Sequence, residues 1–159
     1  GEIHQHQGIL ALEDNRMAQD ARAATPADLE AIVRLDEAAS GRPRGKLLAA
    51  LAGEARFVVL ERAGELKGYA ASRPFGRGHV VGPVVAPGAD QARALFVAAA
   101  ADLAGAFVRV DTSPDLGLGP WLAAQGLGRV STATTMIRGA PPAPRGEARV
   151  FALCSQSLG

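Results

Sequence analysis

The sequence predicts an α/β fold of the α+β type, with helices on both faces of a central mixed sheet. Two observations favour it. Segments with the two-residue alternation of strands and segments with helical periodicity follow one another along the chain. Near the centre, a helix joins two apolar strand segments, at 80–85 and 107–110, as in a parallel pair. With 159 residues, 48% of them hydrophobic, the chain is long enough to bury one domain core.

The charge balance and the single cysteine exclude several classes of protein. Lys and Arg number 17 against 16 Asp and Glu, so no strong field attracts nucleic acid or an anionic membrane, and neither is an expected partner. Cys154 alone cannot form an internal disulfide, which favours a cytoplasmic protein. The apolar run at 92–110 contains Arg93, Asp102 and Arg109, so it predicts a helix and a strand rather than a membrane span.

Residues 1–16 are set apart from the predicted domain, which comprises residues 17–159. They are interpreted as a leader, a tail or the last strand of an upstream domain. His4 and His6 have the spacing that places two imidazoles on one side of a strand, as a metal site would need. A solvated tail is the favoured interpretation, and no metal site is predicted.

A short strand in ARAAT and two helices are predicted first. The first helix has Thr25 at its N-cap, Pro26 at its first position and Asp28 at its third, a variant of the capping box, and it ends at Gly41. The stretch KLLAALAG predicts a second, short helix that is closed by Gly53.

A β-hairpin is predicted in ARFVVLERAGELKGYAAS. Side chains alternate over 57–60, the chain turns at Ala63 and Gly64, and it returns through Leu66 to Tyr69.

The second half of the chain continues the alternation. The strand at 80–85 leads into a helix, the strand at 107–110 follows, and LGPWLAAQG predicts a short helix that ends at Gly126. The β-branched stretch RVSTATTMIRG predicts a strand, and the proline-rich loop APPAPRGE leads to a last strand in ARVFALCSQSLG. The predicted order is β-α-α-β-β-β-α-β-α-β-β, with the two central strands parallel and splayed at their carboxyl ends.

The junction APGADQA, between the first central strand and its helix, has the chemistry of a phosphate site. Free N–H groups and the positive end of the helix dipole attract a phosphate, and Gly88 lets a ligand approach the backbone. Because Asp90 adds a negative charge, a working site requires this side chain to point outward, with Arg93 offsetting its charge. A structural turn explains the same residues and remains the alternative.

Several of these segments resemble the GNAT acyltransferase superfamily. The resemblance rests on the order of elements, the strand end VVAPG, the strand VRVDTS and the stretch WLAAQGLGRV, and it covers about residues 22–139. More narrowly, LDEAASGRPRGKLL, GYAASRPFGRGHVVGPVVAPGADQARAL and RVFALCSQSLG are similar to the second domain of tandem bacterial GNAT proteins. This implies a GNAT-like acyl-CoA N-acyltransferase fold with acetyl-CoA as co-substrate.

The resemblance also implies which residues bind acetyl-CoA. In this superfamily the first parallel strand offers backbone groups to the pantetheine arm, and the following loop and helix N-terminus hold the pyrophosphate. The loop here departs from the superfamily pattern, Gln/Arg-x-x-Gly-x-Gly/Ala, because it keeps one glycine and no arginine precedes it. The implied cofactor-binding residues are Val84, Val85, Gly88, Ala89, Asp90, Gln91, Ala92 and Arg93.

The catalytic groups that the resemblance implies are incomplete. Many members use a tyrosine after the second parallel strand to protonate the leaving thiolate, but the sole tyrosine, Tyr69, lies in the predicted hairpin. Asp111 is the candidate catalytic residue, as a base or as a group that binds a substrate cation, and capping of the following turn is the alternative. Cys154 is predicted to be a buried core thiol rather than a nucleophile.

Two functions follow from these residues and the resemblance. The first is an acetyl-CoA-dependent N-acetyltransferase that acts on a small amine or an amino-acid-like substrate. The alternative is a non-catalytic domain of the same shape that completes, binds or regulates a catalytic partner. A second copy of the chain, as a homodimer, and an upstream domain of the same superfamily are the protein partners considered.

Overall fold

The computed structural model describes residues 1–12 and 16–159, which form an eight-stranded sheet with helices on both faces. The elements predicted from the sequence occur in the predicted order, and one N-terminal strand is additional. The predicted fold class is therefore confirmed. The strands are β1 (Glu2–Ile9), β2 (Ala21–Ala23), β3 (Arg56–Arg62), β4 (Glu65–Phe75), β5 (Gly78–Ala86), β6 (Phe107–Thr112), β7 (Gly128–Thr134) and β8 (Arg149–Ala152). The α-helices are α1 (Leu29–Ser40), α2 (Gly45–Ala52), α3 (Ala89–Ala99) and α4 (Gly119–Ala124).

The order of strands across the sheet is β2-β3-β4-β5-β8-β6-β1-β7. β5 and β6 are parallel, as predicted, with His79 opposite Val108 and Val80 opposite Arg109. Farther along, β8 pairs with both strands and runs antiparallel to each of them. The predicted splay therefore exists, but a strand of the same chain lies inside it.

The two faces of the sheet carry separate apolar cores. Phe96 of α3 belongs to the first core together with Val58 of β3, whereas Ile32 of α1 and Leu48 of α2 belong to the second together with Val59. The neighbours Val58 and Val59 join different cores because successive side chains of a strand point to opposite faces. Burial of each such side chain contributes about 1.5–3 kcal/mol, which holds helices on both faces.

The capping pattern predicted for the first helix is present, but it caps a short 3₁₀ helix (Pro26–Asp28) that leads directly into α1. The Thr25 N–H donates a hydrogen bond to the Asp28 carboxylate (2.7 Å), which also accepts one from Arg22 (2.8 Å). The hydrogen bond from Arg22 is the main cause that holds the pKa of Asp28 well below its usual value. At the other end, Gly41 adopts the left-handed conformation (φ 67°) that terminates the helix.

The N-terminal segment is part of the sheet, contrary to its separation in the sequence analysis. β1 lies between β6 and β7, with Gln5 opposite both Asp111 and Ser131. His6 is 3% exposed, so the interpretation of this histidine as part of a solvated tail is wrong. The segment 1–16 also includes residues 13–15, which lie outside the described residues. A strand was one of the interpretations of this segment, but its place in this sheet was not predicted, because β1 has one fully buried residue and little apolar alternation.

The last strand is shorter than predicted, because β8 ends at Ala152. Cys154 lies just after it and is fully buried in the second core, so its burial is confirmed although its place in a strand is not. Among the described residues, none of the helices has the length and apolar character needed to cross a membrane.

Candidate functional site

The gap between β5 and β6 is occupied by residues 152–154, which we term the closing segment. Ala152 lies opposite Val84 of β5. On the other side, the Leu153 N–H donates a hydrogen bond to the Asp111 carbonyl of β6 (2.8 Å). The closing segment therefore bridges the two splayed strands at the place where a ligand would otherwise enter.

Contacts with Arg73 and Gly82 hold the closing segment in place. Arg73 is only 9% exposed. Its side chain donates hydrogen bonds to the carbonyls of Gly82 (3.4 Å) and Cys154 (3.1 Å). A Cβ at position 82 would overlap the Leu153 carbonyl group. Glycine is therefore required for β5 and the closing segment to approach this closely.

The backbone groups that were predicted to bind a pantetheine arm have partners in β8. Val84 lies opposite Ala152 and Val85 lies opposite Val150. Both valine side chains are buried as well. Binding of a ligand along this edge of β5 therefore requires β8 and the closing segment to move away.

The junction between β5 and α3 contains the helix N-terminus on which the predicted phosphate site rests. Gly88 is the N-cap residue, and α3 begins at Ala89. The Asp90 side chain is 85% exposed and accepts a hydrogen bond from Arg93 (3.2 Å), so it points outward as the sequence argument required. Gln91 lies against the junction, with its side chain close to where a Cβ on Gly88 would be. The N-terminal amides of α3 therefore face no opposing carboxylate from Asp90.

Asp111 is brought to the gap, but its carboxylate is not open to a substrate. The side chain is 0% exposed and forms a forked ion pair with Arg109, at 3.1 Å from Nε and 2.9 Å from Nη2. The carboxylate is thus engaged by Arg109 instead of capping the following turn. A substrate amine does not reach it in this conformation.

A buried polar network on the α1 face was not anticipated from the sequence. The Tyr69 hydroxyl donates to Asp36 Oδ1 (2.6 Å), and Arg44 donates to both carboxylate oxygens (2.7 and 2.9 Å). Burial, and next the charge of Asp36, raise the pKa of Tyr69 well above its usual value. The sole tyrosine is therefore a structural hydrogen-bond donor and does not supply the acid that the superfamily uses. One signal was available, since Asp36 falls on the apolar stripe of α1, where a carboxylate needs a buried partner.

A cleft of about 590 Å³ opens at the same end of the sheet. It lies between the α1–α2 loop, the end of β7 with the loop that follows it, and residues 153–159. Arg42, Arg44 and Arg149 line it, and among the described lining residues there is no Asp, Glu, His, Lys or Tyr. The residues predicted to bind acetyl-CoA, 84, 85 and 88–93, and the candidate Asp111 do not line this cleft. The sequence analysis did not single out its arginines, because Arg149 lies far along the chain from Arg42 and Arg44.

Residues 32–152 match the model of a protein family described as the acetyltransferase (GNAT) domain. The protein belongs to the GNAT acetyltransferase family. The resemblance noted in the sequence is therefore confirmed at the level of the family. No curated protein matches this sequence.

Solved structures of GNAT proteins share the fold of this domain. A protein from Pyrococcus horikoshii assigned to the acetyltransferases aligns with a TM-score of 0.69 at 15% identity, over 100% of this chain and 52% of that chain. A GNAT-family protein from Novosphingobium aromaticivorans aligns with a TM-score of 0.62 at 16% identity, over 82% of this chain and 61% of that chain. This GNAT domain thus spans between half and two thirds of the length of these two proteins.

The environment of Cys154 in this GNAT domain predicts an unreactive thiol. The residue is fully buried, and burial is the main cause that raises the pKa of the thiol. We expect iodoacetamide at pH 7.5 to alkylate the native protein at least about tenfold more slowly than the urea-unfolded protein, since only the thiolate of an accessible cysteine reacts. Mass spectrometry of timed samples measures both rates. Equal rates would show that Cys154 is accessible in the native protein.

Proposed function

We propose that this GNAT domain transfers an acetyl group from acetyl-CoA to a small amine or amino-acid-like acceptor, and that the closing segment must leave the gap before acetyl-CoA binds. The proposal is carried by the β5–α3 junction. There the helix N-terminus is formed, Gly88 lies at the N-cap, and Asp90 is turned away and paired with Arg93. This arrangement suits a pyrophosphate, because helix-terminal amides and the helix dipole attract anions.

The residues present fit acetyl-CoA only in part. The α3 N-terminus suits its pyrophosphate, whereas Val84 and Val85 are paired with β8 and cannot receive its pantetheine arm at the same time. When acetyl-CoA is bound, it supplies the thioester whose carbonyl carbon the acceptor nitrogen attacks. A C–N bond forms, the C–S bond breaks, and the proton that the amine loses balances the charge of the leaving thiolate. Placing the amine next to the thioester supplies much of the rate, so a weak protein acid or base is sufficient.

The alternative, a non-catalytic domain that completes, binds or regulates a partner, is favoured by two observations. The closing segment pairs with β5 and donates a backbone hydrogen bond to β6. The Asp111 side chain is buried and forms an ion pair with Arg109. An upstream domain of the same family or a second copy of this chain would be the partner in that case.

Acetyl-CoA binding by the whole chain and by Leu153→Pro separates the two functions. Proline at 153 removes the N–H that donates to the Asp111 carbonyl, so it loosens the closing segment. We expect the variant to bind acetyl-CoA at least about tenfold more tightly than the wild type in isothermal titration, because less of the binding energy is used to displace the segment.

The matched control is Ser157→Pro. It places a proline in the same C-terminal region and removes no backbone hydrogen bond that the structure describes, although the hydrogen bond between the Ser155 and Ser157 hydroxyls is lost. It should bind acetyl-CoA like the wild type. If neither the wild type nor Leu153→Pro binds at millimolar acetyl-CoA while both melt cooperatively, the non-catalytic function takes the place of this proposal.

A further inference from the structure

We propose that the cleft lined by Arg42, Arg44 and Arg149 binds a small amphipathic anion, a ligand with a carboxylate head and a short apolar body. The proposed function leaves the charge of the acceptor open, and this inference concerns the cleft at the splayed end of the sheet where an acceptor would bind. It rests on that function only for the ligand's role as acceptor, in which the ligand must carry an amine besides its carboxylate. The binding of the anionic head and apolar body is tested without acyl-CoA.

The charges of the cleft select for an anion. Three arginines line it, and among the lining residues that the structure describes no Asp or Glu side chain opposes them. Arg44 is engaged by Asp36 and also donates to the backbone oxygen of Gly159, which lies in the cleft (2.5 Å). Within residues 1–12 and 16–159, no Asp or Glu side chain forms an ion pair with Arg42 or Arg149. A concave site with one sign of charge concentrates ligands of the opposite sign and repels a simple alkylammonium ion.

Arg149 is positioned to use its free donors on such a ligand. Its Nη1 donates to the carbonyls of Gly146 and Ala148, both at 2.8 Å, which fixes the side chain by its own backbone. The hydrogen bonds described for this guanidinium involve Nη1 alone, which leaves Nε and Nη2 for a ligand. A carboxylate matches this planar donor pattern because it accepts two parallel N–H groups.

The other walls of the cleft are apolar and accessible. Met136 is 89% exposed, and Ile137 and Leu158 are each 49% exposed. Leu116 and Leu153 line the cleft as well. Covering these side chains with an apolar chain is favourable, and a cleft of about 590 Å³ has the size of a small-molecule site.

Titration calorimetry with octanoate and octylamine tests the inference on the whole chain without acetyl-CoA. The two probes share their apolar chain and differ in the charge of the head. We expect octanoate to bind at least about tenfold more tightly than octylamine, and to bind more weakly as salt is raised from 0.05 to 0.5 M, roughly the range over which screening grows strong.

Two variants locate the site. Arg42→Gln and Arg149→Gln should each weaken octanoate binding about three- to tenfold, the range for losing one charge-assisted contact. Arg34→Gln is the control, because Arg34 is 68% exposed on α1, pairs with Glu30 and does not line the cleft. It should leave octanoate binding unchanged.

Equal binding of the two probes, or octanoate binding that neither cleft variant weakens, would show unspecific apolar contact and overturn the inference. Failure of octanoate to bind at millimolar concentration would overturn it as well. None of these results depends on acetyl-CoA, so they leave the test of the proposed acetyl transfer unaffected.

Discussion

Replacing Asp36 by alanine is expected to lower the free energy of unfolding by about 3–5 kcal/mol, the usual cost of leaving one charge of a buried ion pair alone. The Asp36 side chain is 0% exposed and that of its partner Arg44 is 9% exposed. The substitution leaves the guanidinium without its carboxylate in the interior. It also deprives the Tyr69 hydroxyl of its acceptor. Urea unfolding followed by circular dichroism measures the change.

Two further variants show whether the effect comes from the buried charge. Asp36→Asn keeps the shape and one acceptor oxygen but removes the negative charge, so its loss of stability should be substantial yet smaller than that of the alanine variant. Glu30→Ala removes the carboxylate of an exposed pair with Arg34 on the same helix, and we expect no measurable change. If Asp36→Ala lowers the free energy of unfolding by less than about 1 kcal/mol, water or a shifted side chain compensates the charge of Arg44.

The same residue illustrates what the sequence reveals about buried polar groups. Ile32, Asp36 and Ala39 are the buried residues of α1, so the helical period shows that Asp36 faces the core. It does not show which group meets it, because Arg44 is eight positions away, beyond a loop, and Tyr69 lies on a strand of the sheet. A local pattern thus predicts that a partner is needed, and tertiary structure decides its identity.

Elements with a strong local signal were predicted well, and elements held by long-range pairing were not. The hairpin turn is confirmed because Ala63 and Gly64 both adopt positive φ, at 52° and 75°, as a tight turn of this kind requires. The place of β1 in the sheet was not predicted, because its partners β6 and β7 lie far away in sequence, with Ile9 opposite Phe107 and Glu2 opposite Thr134.

The splayed gap was predicted from the sequence, whereas the segment that fills it was not. The splay of β5 and β6 follows from the parallel pair, and the outward position of Asp90 reflects its ion pair with Arg93, three residues along α3. The sequence of β8 does not show which strand it pairs with. Its apolar alternation is common among strands and is compatible with any open edge of the sheet. Arg149 of the cleft lies far along the chain from Arg42 and Arg44, so only the fold brings it to them.

Gly82→Ala is expected to lower the free energy of unfolding by about 1–3 kcal/mol, the typical cost of overpacking a core, and to displace the closing segment. The added Cβ overlaps the Leu153 carbonyl, which is backbone and cannot rotate away as a side chain would. The φ angle of Gly82 is not positive, so an alanine can adopt the same backbone conformation in β5. The strain therefore falls on the contact with the closing segment.

Displacement of the closing segment is visible at Cys154, its last residue. In Gly82→Ala, iodoacetamide should alkylate Cys154 several-fold faster than in the wild type, because the thiol shares the movement of the neighbouring Leu153. Gly128→Ala is the matched control, since Gly128 also lies in a strand, β7, and a Cβ there meets nothing within 4 Å. That variant should keep the wild-type labelling rate and stability. If Gly82→Ala also keeps both, the closing segment does not pack against β5 in solution, and the gap between β5 and β6 is open to acetyl-CoA without any rearrangement.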